Sequence, residues 1–254
     1  MLSKNQIKFI KSLQQKKFRA ENALFLAEGT TLVHDLLLSN ILKPSQVFAS
    51  EAWLLNNNID KGIGIIITER ELRQISGLET PNEVLAVFEI PNHSLEKALA
   101  SDNLLLALDG VRDPGNLGTI IRIADWFGIS HIVCSEDTVD AYNPKVVQAS
   151  MGSIARVYVH YTDLGPFLEK KKEGNEKIYA ALLEGSNVYK EKLSHGGVLI
   201  MGNEAKGISQ EVLKYVTHGI SIPAFPHAEL QKTKAESLNV AVAAAILCAE
   251  FRKG

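Results

Sequence analysis

The stretch from Leu104 to Gly128, LLLALDGVRDPGNLGTIIRIADWFG, holds the pattern that decides the fold. It begins with a continuous apolar run that ends at Gly110, and after a turn it takes helical spacing from Asn116 to Phe127. A continuous apolar run without polar alternation is typical of a strand that is buried on both faces of a parallel sheet. We therefore predict a strand, a glycine-marked turn and a helix.

The same succession continues toward the C-terminus. Four further apolar runs predict strands, at His131 to Ser135, Ile178 to Gly185, Gly197 to Glu204 and Gly219 to Pro223. Helical patterns lie near Lys145 to Met151 and from Ser237 to Phe251. Strands that alternate with helices predict an α/β domain with a parallel sheet, whose ligands bind at the carboxyl ends of the strands.

The N-terminal part predicts a smaller α/β unit. It contains a basic helix, a short apolar run at Phe25 to Gly29, a helical pattern from Thr30 to Leu38, and the run Gly62 to Thr68. The pattern breaks at Ile90-Pro91-Asn92-His93-Ser94, because proline excludes a helix there and the polar residues favour a turn. We predict two domains, residues 1–90 and 96–254.

Composition limits the class of protein. The 254 residues are 46% hydrophobic and 22% charged, as in an ordinary globular protein. No apolar stretch approaches the ~20 residues of a membrane helix, which predicts a cytosolic, unanchored, cytoplasmic protein. The two cysteines, Cys134 and Cys248, lie in apolar patterns and predict buried thiols, and the scattered histidines predict no metal site.

A basic stripe precedes the first acidic residue, Glu21. Its members are Lys4, Lys8, Lys11, Lys16, Lys17 and Arg19. The whole chain has a formal net charge of -2, which is not the basic footprint typical of nucleic-acid binders. A local stripe nevertheless neutralises phosphates. The alternative is the solvated face of a helix, since Ile7, Ile10 and Leu13 recur at helical spacing.

Three of the predicted strands run into glycine-marked turns that carry polar side chains. The first turn leads to Asn116 and Arg122, the second has Asn203 and Glu204 at its tip, and the third leads to Ser237. Each turn has a structural alternative: a glycine that permits positive φ, an N-cap at Ser237, or a surface pair of Arg122 with the nearby Asp125. Three such turns in one parallel sheet favour a single site instead.

At these residues the sequence resembles a known family. The segments NLGTIIRIADWFG, GNEAKGIS and SIP…ESLNVAVAAAI resemble, in order and spacing, the three signature motifs of the SpoU (TrmH-like) branch of the SPOUT RNA methyltransferases. The segment KKFRAENALFLAEGTTLVHDLL, from Lys16 to Leu37, resembles the substrate-binding domain of that family, which is similar to small ribosomal RNA-binding proteins.

The resemblance implies a fold and an activity. The implied fold is a parallel α/β sheet with a C-terminal trefoil knot, an exception to the rule against knots. It is preceded by the small RNA-binding domain. The implied enzyme is a homodimer with active sites at the subunit interface. It moves a methyl group from S-adenosylmethionine to a ribose 2′-hydroxyl of ribosomal or transfer RNA.

The resemblance also assigns residues. The implied cofactor contacts are Gly202, Ile222, Leu238, Leu182 and Gly185. The implied catalytic set is Arg122, Asn116, Glu204, Ser237 and Asn239. The expected RNA contacts are Lys16, Lys17, Arg19 and Arg122. The sequence departs from the family at Ala205, where relatives commonly have glycine, and in an insertion from Ala224 to Glu236, and both leave the shape of the pocket's lid open.

A guanidinium keeps its proton in proteins, so we expect Arg122 to bind an RNA phosphate bidentately and leave the proton transfer to another group. The sequence also bears on two other classes of protein. A dinucleotide-binding enzyme requires a Gly-x-Gly-x-x-Gly turn after the first strand, and the sequence has neither that turn nor a P-loop. A non-catalytic RNA-binding protein on the same scaffold is the alternative, which the intact Asn116, Arg122, Glu204 and Asn239 disfavour.

Overall fold

The structure is a computed structural model that describes residues 1–225 and 236–253. Before residue 93 the elements are α1 (Lys4–Ser12), α2 (Lys16–Asn22), β1 (Leu24–Glu28), α3 (Thr30–Leu38), β2 (Pro44–Ala49), α4 (Glu51–Asn56), β3 (Gly64–Ile66), α5 (Glu69–Ile75) and β4 (Val84–Glu89). After it they are α6 (Leu95–Leu99), β5 (Leu104–Asp109), α7 (Pro114–Trp126), β6 (His131–Cys134), α8 (Pro144–Ser150), β7 (Tyr158–Tyr161), α9 (Leu164–Glu173), β8 (Ile178–Asn187), β9 (Gly197–Gly202), α10 (Gln210–Leu213), β10 (His218–Ser221) and α11 (Val240–Phe251).

These elements form two units. The first comprises Met1–Asn92 together with Asp140–Arg156, and the second comprises His93–Val139 and the chain from Val157 on. The end of the first range lies within the predicted break at residues 90–94. The segment Asp140–Arg156 belongs to the first unit, although it lies within residues 96–254, the predicted second domain.

The first unit is built on a four-stranded mixed sheet. Its order is β1-β4-β2-β3, in which β4 is antiparallel to both neighbours and β2 and β3 are parallel. Alternate residues of the sheet, among them Leu26, Phe48 and Leu85, share one buried cluster with Ile10 of α1 and Ile75 of α5. The central strand β4 was missed, because its apolar run sits directly before the break at Pro91.

Specific contacts hold the segment Asp140–Arg156 in the first unit. The Arg19 guanidinium donates to Asp140 Oδ2 through Nε at 3.0 Å and through Nη2 at 2.5 Å. The rings of Phe25 and Tyr142 lie 4.9 Å apart between centroids. A buried Arg–carboxylate pair has strict geometric demands, so this contact fixes the segment's position within the unit.

The second unit is built on a six-stranded sheet of order β10-β8-β9-β5-β6-β7, in which all neighbouring strands are parallel. On β5, Leu105 and Ala107 pack in a cluster with Phe167 of α9, while Leu104 and Leu106 are also fully buried. This strand is therefore covered on both faces, and the predicted parallel sheet is confirmed. Strand β7 and helix α9 were not predicted.

The ends of α7 and α11 orient the site. Helix α7 begins with Pro114 at its first position, and the Asp113 side chain caps it by accepting from the Asn116 N–H at 2.8 Å. Helix α11 begins at Val240, not at Ser237 as predicted, because its N-cap is Asn239. Most of the Ala224–Glu236 insertion lies outside the described residues.

The length and apolar character of each helix determine whether it could span a membrane. Within residues 1–225 and 236–253, none of the helices combines the length and the apolar character that crossing a bilayer requires.

Candidate active site

Loops from the carboxyl ends of β5 and β9 meet in the second unit. Beyond β9, Asn203 and Gly207 exchange two backbone hydrogen bonds of 2.9 Å, which closes a tight hairpin over residues 203–207. A Cβ on Gly202 would collide with the backbone of Gly207 and Ile208, so this position requires glycine for space. The Asp109 carboxylate at the end of β5 accepts from the Ser209 N–H at 2.7 Å and ties the two loops together.

Three of the predicted catalytic residues form one hydrogen-bond chain. Asn116 Nδ2 donates to Glu204 Oε1 at 2.9 Å, and Asn239 Nδ2 donates to Asn116 Oδ1 at 2.9 Å. These side chains come from three different motifs that are up to 123 residues apart in sequence. The parallel sheet brings them together, because all its strands end at the same edge.

The Glu204 carboxylate also accepts from the peptide before α7. The backbone N–H groups of Arg112 and Asp113 reach it at 3.4 Å and 3.3 Å. Partial burial alone would raise the pKa of Glu204, but the hydrogen bonds from Asn116 and from these backbone groups outweigh burial and lower it. Glu204 is therefore ionised at neutral pH, and its acceptor positions are already engaged.

A break in the register of β8 opens space beside this network. Strand β10 pairs with Tyr179 and Ala180, and then with Ser186 and Asn187. Residues 181–185 lie outside this register and outside the pairing with β9, which also ends at Ala180. Residues 181–185 therefore bulge out of the sheet ladder, and Ala181, Leu182 and Leu183 line the adjacent cavity.

The resulting cavity has a volume of about 520 Å³. Its walls are formed by residues 181–183 of β8, the end of β9 with the hairpin after it, the end of β10, and α11 with the residues just before it. The lining residues are Ala181, Leu182, Leu183, Met201, Gly202, Asn203, Glu204, Ala205, Gly207, Ile220, Ile222, Glu236, Ser237, Leu238, Asn239, Val240, Ala243 and Leu247. Small-molecule sites typically occupy ~300–1,000 Å³ and combine apolar walls with a few polar groups. The cavity has both properties.

S-adenosylmethionine fits this set of groups. Leu182, Ile222 and Leu238 would offer apolar surface to a planar base, and the polar lining residues Asn203, Glu204 and Ser237 would offer hydrogen-bond partners. Of the predicted cofactor contacts, Gly185 is not in the cavity lining. Gly185 lies where β8 returns to its pairing with β10. The close approach there requires glycine, because a Cβ would lie 2.8 Å from the backbone carbonyl carbon of Ile220.

Arg122 stands apart from the other predicted catalytic residues. It is exposed on α7 and is not among the residues that line the cavity. Asn116 and Arg122 are six positions apart on α7, which separates their side chains by about 120° around the helix axis. One helix therefore directs these two side chains to different surroundings.

The predicted RNA contacts of the first unit divide into two kinds. Lys16 and Lys17 are exposed on α2, as a phosphate contact requires. Arg19 is 2% exposed, and besides Asp140 its guanidinium donates to the carbonyls of Leu13 and Gln14 at 2.9 Å and 2.8 Å. Burial and these four hydrogen bonds within the unit withdraw Arg19 from the phosphate contact that the sequence predicted.

Sequence reasoning missed supporting residues around the loops. Arg112 pairs with Asp137 at 3.1 Å, and Ser135 Oγ donates to the same Asp137 carboxylate at 2.8 Å. The hydrogen bond from Ser135, followed by that from Arg112, lowers the pKa of Asp137. These residues follow strands β5 and β6, and their position after a strand was the available signal. Within the described chain no group of three metal-ligating side chains occurs.

The chain matches two family models. Residues 103–249 match the SpoU rRNA Methylase family, and residues 4–86 match the MRM3-like substrate binding domain. A relative from Bacillus subtilis, the 23S rRNA (guanosine(2553)-2′-O)-methyltransferase RlmP, is 34% identical over 98% of this chain and 97% of its own length.

Solved structures agree with this match. An AdoMet-bound rRNA methyltransferase from Sinorhizobium meliloti has a TM-score of 0.85 and 31% identity, covering 100% of this chain and 96% of that one. A structure from Porphyromonas gingivalis, assigned to the TrmH family of RNA methyltransferases, has a TM-score of 0.89 and 37% identity over 100% and 99% of the two chains. The chain therefore belongs to the SpoU rRNA methylase family of S-adenosylmethionine-dependent RNA 2′-O-methyltransferases.

Proposed function

We propose that this chain methylates a ribose 2′-hydroxyl of ribosomal RNA, with large-subunit RNA as the substrate. The observation that carries the proposal is the hydrogen-bond chain Glu204–Asn116–Asn239 at the mouth of the cavity. The choice of ribosomal over transfer RNA is supported by the relative from Bacillus subtilis, which spans the same length and is named for 23S rRNA.

The reaction makes geometric demands that these residues meet. S-adenosylmethionine supplies an electrophilic methyl group, and the ribose oxygen must be held ~3 Å from it in line with the leaving sulfur. We assign Glu204 a positioning role, because a carboxylate with a lowered pKa and engaged oxygens is a poor proton acceptor. It anchors Asn116 and the peptide at residues 112–113, and Asn239 extends the same row of amides.

Arg122 is proposed to bind the RNA phosphate and to lower the pKa of the hydroxyl through its charge. Since Arg122 is on a different face of α7 from Asn116, we propose that it acts in the cavity of a second copy of the chain. Exposed apolar residues support such a homodimer: Trp126, one turn after Arg122, is 84% exposed, and Val242 on α11 is 49% exposed.

The proposal also covers the knot, the nucleotide contact of Ser237 and the roles of the two domains. The C-terminal part of the sheet is proposed to carry the trefoil knot, and Ser237, at the cavity lining, to contact the nucleotide. Residues 1–90 are proposed as the ribosomal-protein-like RNA-binding domain, with Lys16 and Lys17 as phosphate contacts, and residues 96–254 as the catalytic domain. The match of residues 4–86 to a substrate-binding domain supports this division. A ribosomal RNA substrate supports a cytoplasmic location.

Two measurements test the function. Titration calorimetry with S-adenosylmethionine should give saturable binding to one site per chain. Ribose methylation mapped across ribosomal and transfer RNA from cells that lack the protein should then lose one position in ribosomal RNA.

Re-expression of the wild-type chain should restore that position, and re-expression of the Asn116→Ala variant should not. An unchanged methylation map, together with no cofactor binding, would instead favour the non-catalytic RNA-binding scaffold. A position lost from transfer RNA would contradict the proposed substrate and leave the chemistry standing.

A further inference from the structure

Asn203 holds the hairpin that presents Glu204. Its Oδ1 accepts from the backbone N–H groups of Ala205 and Lys206, both at 3.0 Å. These bonds form a side-chain-stabilised turn at the hairpin tip and fix the backbone on either side of Glu204. The Glu204 side chain therefore leaves the hairpin in one defined direction.

The other end of the same side chain reaches a different loop. Asn203 Nδ2 donates to the carbonyl oxygen of Gly110 at 2.7 Å. On its other side, Gly110 donates its N–H to Ser135 Oγ at 2.8 Å, and its backbone has φ +70°. Gly110 is thus held from both sides in a conformation that favours glycine.

The orientation of the Asn203 amide follows from its partners. Its oxygen faces two N–H donors, and its nitrogen faces the Gly110 carbonyl and, at 3.5 Å, Glu204 Oε2, so exchanging the two would break these hydrogen bonds. The fixed side chain spans the loop after β5 and the loop after β9. The loop after β5 supplies the backbone N–H groups of Arg112 and Asp113, and the loop after β9 supplies the Glu204 carboxylate that accepts from them.

We propose that Asn203 is a positioning residue for methyl transfer, which acts by setting the distance between Glu204 and the loop Gly110–Asp113. This inference rests on the proposed function. Asn116 follows that loop on α7, so any displacement of the loop against the hairpin moves Glu204 away from Asn116. A misplacement of ~1 Å at reacting groups costs ~10²-fold in rate.

Two substitutions separate the roles of the side chain. Asn203→Asp keeps an acceptor for Ala205 and Lys206 at nearly the same size, but it replaces the donor to Gly110 and to Glu204 Oε2 with a charge that repels both oxygens. Asn203→Ala removes both roles. A matched control is Asn57→Asp in the first unit, where Nδ2 also donates to a backbone carbonyl, that of Trp53, at 2.9 Å.

In single-turnover methylation at saturating cofactor and RNA, Asn203→Asp should lose ~10- to 100-fold in rate, and Asn57→Asp should stay within ~2-fold of wild type. A double-mutant cycle with Glu204→Ala tests whether Asn203 affects the rate through Glu204. If Asn203 acts through Glu204, adding Asn203→Asp to the Glu204→Ala background should cost less than ~3-fold. Equal losses in both backgrounds would overturn the proposal.

Hydrogen exchange supplies a readout that does not depend on activity. The amides of Arg112 and Asp113 should exchange faster in both Asn203 variants, whereas those of Ala205 and Lys206 should exchange faster only in Asn203→Ala. Unchanged exchange at Arg112 and Asp113 would overturn the proposal even if activity fell. A wild-type protein that methylates no RNA would contradict the proposed function while this exchange pattern still tested the coupling of the loops.

Discussion

At the scale of single residues, the space at Gly202 determines the shape of the cavity wall. A methyl group there collides with the backbone of Gly207 and Ile208, so Gly202→Ala should push the hairpin open and distort the cavity wall. We expect S-adenosylmethionine affinity to fall by more than ~10-fold in calorimetry. The control is Gly174→Ala, where φ is -72° and the nearest atom, Lys171 O, lies 3.3 Å from the added carbon. Wild-type affinity in a folded Gly202→Ala protein would contradict the cofactor assignment.

Arg122 offers the second prediction at this scale. If its guanidinium binds a phosphate of the RNA, Arg122→Ala should lower the single-turnover rate by ~10² to 10³, and Arg122→Lys should retain part of the activity because charge is kept without the bidentate fork. Cofactor affinity should stay the same in both variants. Arg70→Ala, an exposed arginine on α5, is the control. Full activity in Arg122→Ala would reduce Arg122 to a surface residue.

Prediction from sequence worked unevenly across residues. Asn116, Glu204 and Asn239 were named from separate motifs, and they lie within hydrogen-bond distance because parallel strands deliver their loops to one edge. Arg19 was named from a run of cations, but a run does not reveal which cation turns inward to meet a distant carboxylate. Its partner, Asp140, is 121 residues away in the chain.

At the level of secondary structure, an element could be predicted where residues that break helices and strands mark its ends. Helix α3 has its predicted bounds, and the strands before glycine turns were found, because a glycine or a polar cluster marks where an apolar run stops. Strand β4 merges into the break at Pro91. Strand β7, Tyr-Val-His-Tyr, lies at the sheet edge and is only partly buried, so it lacks the continuous apolar run that identified the buried strands.

Strands β6 and β7 predict a dependence of stability on pH. His131 Nδ1 and His160 Nε2 lie 3.1 Å apart in the buried interior, and burial, followed by the neighbouring His131, lowers the pKa of His160 to about 4. Between that value and the unfolded pKa near ~6.5, the unfolded chain binds the extra proton. The stabilisation that comes from keeping His160 neutral should therefore be complete above pH ~6.5. The free energy of unfolding should decline as the pH falls toward ~4.

The slope from this one proton approaches ~1.4 kcal/mol per pH unit. Urea unfolding at a series of pH values should show a shallower decline in His160→Gln than in wild type. His195→Gln, which replaces an exposed histidine, should follow the wild-type slope. Identical slopes in all three proteins would mean that His160 does not remain neutral in the folded state over this range.

For the whole molecule, the position of Arg122 determines which subunit's cavity it can serve. The chain itself joins Asn116 and Glu204 in one network, whereas Arg122 lies on another face of the same helix. Sequence motifs name all three residues without distinguishing these two situations, because a motif records neighbours along the chain and not the subunit on which a side chain acts. A homodimer with shared sites makes a distinct prediction about mixed dimers.

An Arg122→Ala chain and a Glu204→Ala chain, each strongly impaired alone, should recover activity when they are paired through two different affinity tags. One of the two cavities in that mixed dimer would combine an intact Glu204 with an intact Arg122, so the activity should be about half that of the wild-type dimer. The matched control pairs Asn116→Ala with Glu204→Ala. These residues act in the same cavity of the same chain, so neither site in that mixed dimer is complete and no activity should return. An inactive Arg122→Ala and Glu204→Ala pair, isolated as a stable mixed dimer, would show that Arg122 serves its own chain, and a monomer in light scattering at micromolar concentration would remove the shared site altogether.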